Sequence, residues 1–178
     1  MKKVILIYGL IAGSIVAAMM FITIPMYNNG SLDMDKGELV GYTTMVVALS
    51  LVFFGIKSYR DNYAKGVISF GKGFKIGILI TLIACIMYGL AWEITYSRIG
   101  DEFTIKMTEK YMEDMKTGGA SDREIQEAKE QWENFNEMYK NPLFRFMFTI
   151  FIEIFPVGLG ITLVSAAILR KKEILPAT

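Results

Sequence analysis

Glu153 is the residue best placed to do chemistry. It is the one charge within Phe146–Ile168, a run of 23 residues, and Pro156 follows three positions on. It lies about 10 Å below the outer edge of that run, taken as a helix. An ionised carboxylate in hydrocarbon costs several kcal/mol, so such a group is protonated, paired or turned to a wet cavity. A carboxylate beside a softened helix is what a proton or cation site uses. Pro156 supplies the softening: it has no amide donor and its ring meets the carbonyl of Ile152, which predicts a kink. Gly158 and Gly160 add to it. The competing reading is a buried glutamate bonded to a neighbouring Tyr, Thr or Arg and fixing helix packing, with Arg145 and Arg98 as nearby partners. Glu93 is the second membrane carboxylate, the one charge in Ile76–Tyr96. It sits about 5 Å inside that run, where a carboxylate reaches water by snorkelling.

Little other chemistry is available. The chain has no histidine and one cysteine, so the commonest general base is missing and no internal disulfide or cysteine-built zinc site can form. Cys85, mid-span, is expected to be inert. No phosphate-binding loop, dinucleotide fingerprint, zinc-protease motif or nucleophile elbow occurs. The net charge of +1 carries no field suited to nucleic acid. The expectation is a protein that is not an enzyme, holds no metal or cofactor and takes no nucleic acid as partner.

The elements that must position these carboxylates follow from where the charges are missing. The 178 residues are 53% apolar with a mean hydropathy of +0.37, but this average hides two populations. Val4–Ile24, Leu39–Ile56, Ile76–Tyr96 and Phe146–Ile168 together hold 83 residues and two of the 37 charges. Each is near the length that spans a bilayer core as a helix, about 20 residues. The first run follows Lys2 and Lys3 as a signal peptide would, but it continues to Ile24, beyond an h-region of about 7–15 residues, and reads as a retained anchor. Pro25 is expected to end or bend it, and Asn28-Asn29-Gly30-Ser31 to turn.

Lysine and arginine set the orientation. Lys2 and Lys3, the second loop from Lys57 to Lys75, and Arg170, Lys171 and Lys172 make ten basic groups against two acids, Asp61 and Glu173. The long third loop, residues 97–142, carries seven basic and eleven acidic residues. Both termini are therefore expected in the cytoplasm and the long loop outside. Within the second loop, Ile68–Lys75 reads as an ordinary basic loop that obeys this rule, ahead of a lipid-specific one.

The third loop has helical periodicity. Ile99, Phe103, Met107, Tyr111 and Met115 recur every four residues, and Gly118-Gly119 breaks the pattern. Ser121-x-x-Glu124 is a capping box, followed by Ile125, Ala128, Trp132, Phe135 and Tyr139 near heptad spacing. This predicts an α-hairpin, 101–117 and 122–140, with its apolar stripes facing and its arms continuing the third and fourth spans. Asn141-Pro142 restricts the chain before the last span.

The fold class is all-α: a four-helix transmembrane bundle with an extracytoplasmic α-hairpin between spans three and four. Two small-residue stripes, Gly9-x-x-x-Gly13-x-x-x-Ala17 and Gly158-x-x-x-Thr162-x-x-x-Ala166, permit close helix approach within the bundle or between copies. The partners expected are the lipid bilayer and either a second copy or another envelope protein.

Several stretches are similar to one known family. Met138-Tyr139-Lys140-Asn141-Pro142, Phe151-Ile152-Glu153-Ile154-Phe155-Pro156-Val157-Gly158, Leu169-Arg170-Lys171-Lys172 and Ile68–Gly77 resemble the bacterial domain of unknown function 4199 family. The resemblance covers residues 1–172. It implies a four-span inner-membrane protein with a long loop before the last span, and brings no activity or site residue. Two functions stay open. One is an integral inner-membrane protein of structural or interaction type that uses its hairpin as a contact module. The other is a small oligomeric transporter or proton-coupled permeation unit built on Glu153.

Overall fold

The computed structural model describes residues 1–28 and 31–171, without the side chains of Asn28, Met34, Asp35 and Asp101. Asn29 and Gly30 of the expected Asn28–Ser31 turn, and Lys172 and Glu173, lie outside the described residues. The chain is 88% helical, with no strand among the described residues. Four segments are long and apolar enough to cross a membrane: Lys2–Tyr27, Lys36–Tyr63, Phe70–Gly100 and Pro142–Leu169.

The first segment is α1 (Lys2–Asn28). It runs through Pro25 and does not end there. Only three residues follow the proline, so the lost backbone bond falls in the last turn, where little helix remains to be disrupted. The second segment comprises α2 (Met34–Leu49) and α3 (Leu51–Tyr63), separated at Ser50 alone. The Ser50 hydroxyl donates to the carbonyl of Val47 at 2.6 Å, the side-chain-to-backbone competition by which serine disturbs a helix.

The chain then turns through Lys65 and Gly66, both at positive φ, and enters α4 (Phe70–Thr117). Ser69 caps this helix by accepting from the Lys72 amide. Phe70–Lys75 is therefore helical and not the basic loop expected, because a serine cap and a run without proline extend the helix toward its N-terminus. Ile68 is buried and exchanges both backbone hydrogen bonds with Lys171, tying the second loop to the end of the last helix.

At 48 residues, α4 is about 72 Å long and carries the third span straight into the first arm of the hairpin. Gly118 and Gly119 end it. The Gly119 amide bonds Lys116 and the Ala120 amide bonds Met115, a Schellman closure that needs the φ of +86° at Gly119. The return arm, α5 (Asp122–Tyr139), starts at the predicted capping box, with Ser121 and Glu124 bonded reciprocally. Its stripe meets that of α4: the Tyr111 and Trp132 rings lie 5.3 Å apart, and Asn136 donates to Thr108 at 3.3 Å. The fourth span does not run on unbroken from α5. Asn141 accepts from the Leu143 and Phe144 amides and starts α6 (Pro142–Phe148), with Pro142 in its first turn. A π-helical segment, Thr149–Ile154, joins α6 to α7 (Phe155–Leu169).

Both small-residue stripes are used inside the bundle. A Cβ on Gly9 would stand 2.8 Å from Ile83, and one on Gly13 2.5 Å from Met87, so α1 lies close along α4. On the other side of α4, Gly158 faces Thr81, Gly77 faces Thr162, and the Thr81 and Thr162 hydroxyls bond at 3.1 Å. Ala12, Ala48, Ala84 and Cys85 form the fully buried centre between these contacts.

Candidate functional site

Proline chemistry explains the local structure at Glu153. Pro156 has no N–H to offer the carbonyl four residues back, so regular pairing fails there. The Phe155 amide instead donates to Ile150, five residues back, and one wide turn results. The kink expected from Pro156 thus takes the form of a π segment, a feature that recurs at functional sites. It carries Glu153 on a widened turn, half-buried, with the Tyr88 hydroxyl donating to Oε2 at 3.0 Å. Among the described residues no cation pairs with Glu153.

Arg145 is engaged elsewhere. Its Nε donates to Glu93 Oε1 at 2.9 Å and its Nη2 to Oε2 at 2.5 Å, the two-point geometry that suits a guanidinium. Nη1 donates to the carbonyl of Tyr139 at 3.0 Å, and the guanidinium carbon lies 3.9 Å above the Tyr96 ring. The Arg145 side chain is 7% exposed and that of Glu93 22%. Glu93 is therefore not a snorkelling carboxylate; it holds α6 to α4. Arg98, the other partner considered, is exposed.

A second polar chain runs beside this pair. Trp92 Nε1 donates to the Tyr139 hydroxyl at 2.8 Å, and that hydroxyl lies 3.4 Å from Thr149 Oγ1 at the start of the π segment. Burial pushes the Tyr139 phenol up to about 12, so it remains a neutral hydrogen-bonding group at any ordinary pH.

Glu153, Tyr88, Trp92 and Tyr139 border one cavity of about 520 Å³ between the bundle and the hairpin. Glu153, Tyr88 and Met45 line its membrane end; Tyr111, Trp132 and Asp114 line its hairpin end. Glu153 opens into this space, and the Glu93–Arg145 pair does not line it. Of the four residues singled out from the sequence, Glu93 and Arg145 are brought together, and Glu153 and Pro156 share the π segment and its first following turn. Tyr88, Trp92 and Tyr139 were not foreseen as site residues. The aromatic density around Glu153 was the available signal. Among the described residues no three carboxylate or thiol groups converge as a metal site.

The sequence pattern of a family described as "Protein of unknown function (DUF4199)" matches residues 7–171. The chain belongs to this family. The DUF4199 match includes Tyr88, Glu93, Arg145, Glu153 and Pro156, so the cavity and both carboxylates fall within the family's own extent. No curated protein and no solved structure matches this DUF4199 chain.

Proposed function

We propose that this protein is a non-enzymatic, multi-pass protein of the bacterial cytoplasmic membrane whose hairpin and bundle together bind a small amphipathic molecule. In this reading both termini face the cytoplasm and the hairpin lies outside. Ten basic groups against two acids on one side, and an acidic excess in residues 97–142, support that orientation.

The observation that carries the reading is the cavity with Glu153 at its membrane end. Its volume is in the range of ligand pockets, and it joins apolar walls to a few polar groups, as such pockets do. The hairpin's aromatic stripe is turned onto this space and onto its own partner arm. That favours a small occupant over an envelope protein as what the hairpin contacts.

The chain's two tryptophans, Trp92 and Trp132, both line the cavity and report on it. Protein in phosphatidylcholine nanodiscs is titrated with the neutral fluorophore N-phenyl-1-naphthylamine, and energy transfer from tryptophan is followed. Saturable transfer at one probe per chain supports the reading. Transfer that only rises in proportion to probe, as for partition into lipid, refutes it.

The π segment at Glu153 favours a second reading, a small transporter or proton-coupled permeation unit. Proteoliposomes carrying the parent and Glu153→Gln separate the two. A proton flux lost in the variant supports transport, and no flux in the parent leaves binding alone.

A further inference from the structure

We infer that the occupant of the cavity is an amphipathic cation, an amine or quaternary ammonium group carried on an apolar body. This rests on the binding reading above and adds the chemical class. The groups lining the cavity include the carboxylates of Glu38, Asp114 and Glu153 and one cation, Lys110. Lys110 lies 3.0 Å from Asp114, one turn away on α4, so it is already matched by an acid. Arg145 is the buried cation nearest in sequence to Glu153, and it is consumed by Glu93, the Tyr139 carbonyl and the Tyr96 ring. Glu153 keeps a hydrogen bond from Tyr88 and, among the described residues, no counter-charge.

The walls point the same way. Tyr42, Tyr88, Trp92, Tyr111, Trp132 and Tyr139 line the cavity. Aromatic faces attract cations, and delocalised or alkylated cations most readily, because these give up water cheaply. The Trp92 N–H is already donated to Tyr139, so its remaining surface is the ring. The carboxylates of Glu38 and Glu153, with aromatic sides beside them, complement a positive, greasy molecule. An anion would meet these two carboxylates, with the one lining cation, Lys110, already held by Asp114.

The test uses the full chain in phosphatidylcholine nanodiscs and two ions of matched shape, tetraphenylphosphonium and tetraphenylborate. Saturable quenching of Trp92 and Trp132 is read for each, beside the neutral naphthylamine. The inference expects the phosphonium to bind at least about tenfold tighter than the borate. It also expects Glu153→Gln, and separately Tyr42→Leu at the exposed mouth, to weaken the phosphonium more than the neutral probe. Equal binding of the two ions, or phosphonium binding untouched by both substitutions while the neutral probe still saturates, overturns the cation class and leaves the cavity reading standing. Saturable binding of none of the three probes overturns both.

Discussion

Arg145 and Glu93, 52 positions apart, join α6 to α4 through two parallel hydrogen bonds at the level where the hairpin meets the bundle. The pair is more than a surface ion pair, because the arginine is buried and also holds the last carbonyl of α5. Arg145→Met leaves Glu93 facing apolar surroundings without its partner. It is expected to cost about 2–3 kcal/mol, below the roughly 3–5 kcal/mol of breaking a fully buried pair, since Glu93 keeps some access to water. Thermal unfolding in detergent measures this. The double variant Arg145→Met/Glu93→Gln is expected to recover part of the loss. A double variant as unstable as the two single losses added together would mean the groups act independently.

Helix contacts make a sharper packing prediction. Gly158 and Gly160 lie on the same helix, yet a Cβ at Gly158 would collide with the Thr81 side chain, and one at Gly160 would meet nothing within 4 Å. Gly158→Ala is expected to lower stability by about 1–3 kcal/mol, the usual cost of overpacking, and to disturb the Thr81–Thr162 bond. Gly160→Ala is expected to be neutral or slightly stabilising. Equal losses from both would contradict the close approach of α4 and α7.

The hairpin tip has a pH dependence of known sign. The hydroxyl and amide of Ser121 both bond Glu124 and hold its carboxyl below the usual carboxylate range. A group whose folded value is lowered contributes stability above its unfolded value, about 4.3, and that contribution is lost as pH falls through the folded value. The tip is therefore expected to fray only in acid below about pH 4. A carboxyl-carbon NMR titration is expected to place the Glu124 midpoint lower in the parent than in Ser121→Ala. The same midpoint in both would remove the capping box from the account.

Much of this architecture was legible because hydrocarbon tolerates so few charges. Two charges in 83 residues leave little choice but four spans, and Ser121-x-x-Glu124 after Gly118-Gly119 marks a helix start after a helix end. Local chemistry decided what was missed. Ser50 interrupts the regular pairing of the second span where its hydroxyl bonds the Val47 carbonyl, while the surrounding residues stay apolar and conceal it. Pro156 announced a disturbance, but proline alone does not say whether a helix kinks or widens into a π turn. The partnership of Arg145 with Glu93 over Glu153 depends on how α4 and α6 align, and no spacing within either helix encodes that. The cavity belongs to six elements at once and has no counterpart in any one stretch of sequence.

The central claim is that the space between hairpin and bundle receives a ligand, and plugging it is the most direct measurement. Gly41 lines the cavity, and a Cβ built there meets nothing within 4 Å. Gly41→Phe places a ring at this wall from a Cβ that meets no neighbour. Titrated in nanodiscs with N-phenyl-1-naphthylamine, the parent is predicted to show saturable energy transfer from Trp92 and Trp132. Gly41→Phe, with unchanged thermal unfolding, is predicted to lose at least about tenfold in affinity. Binding as tight in Gly41→Phe as in the parent would contradict the claim.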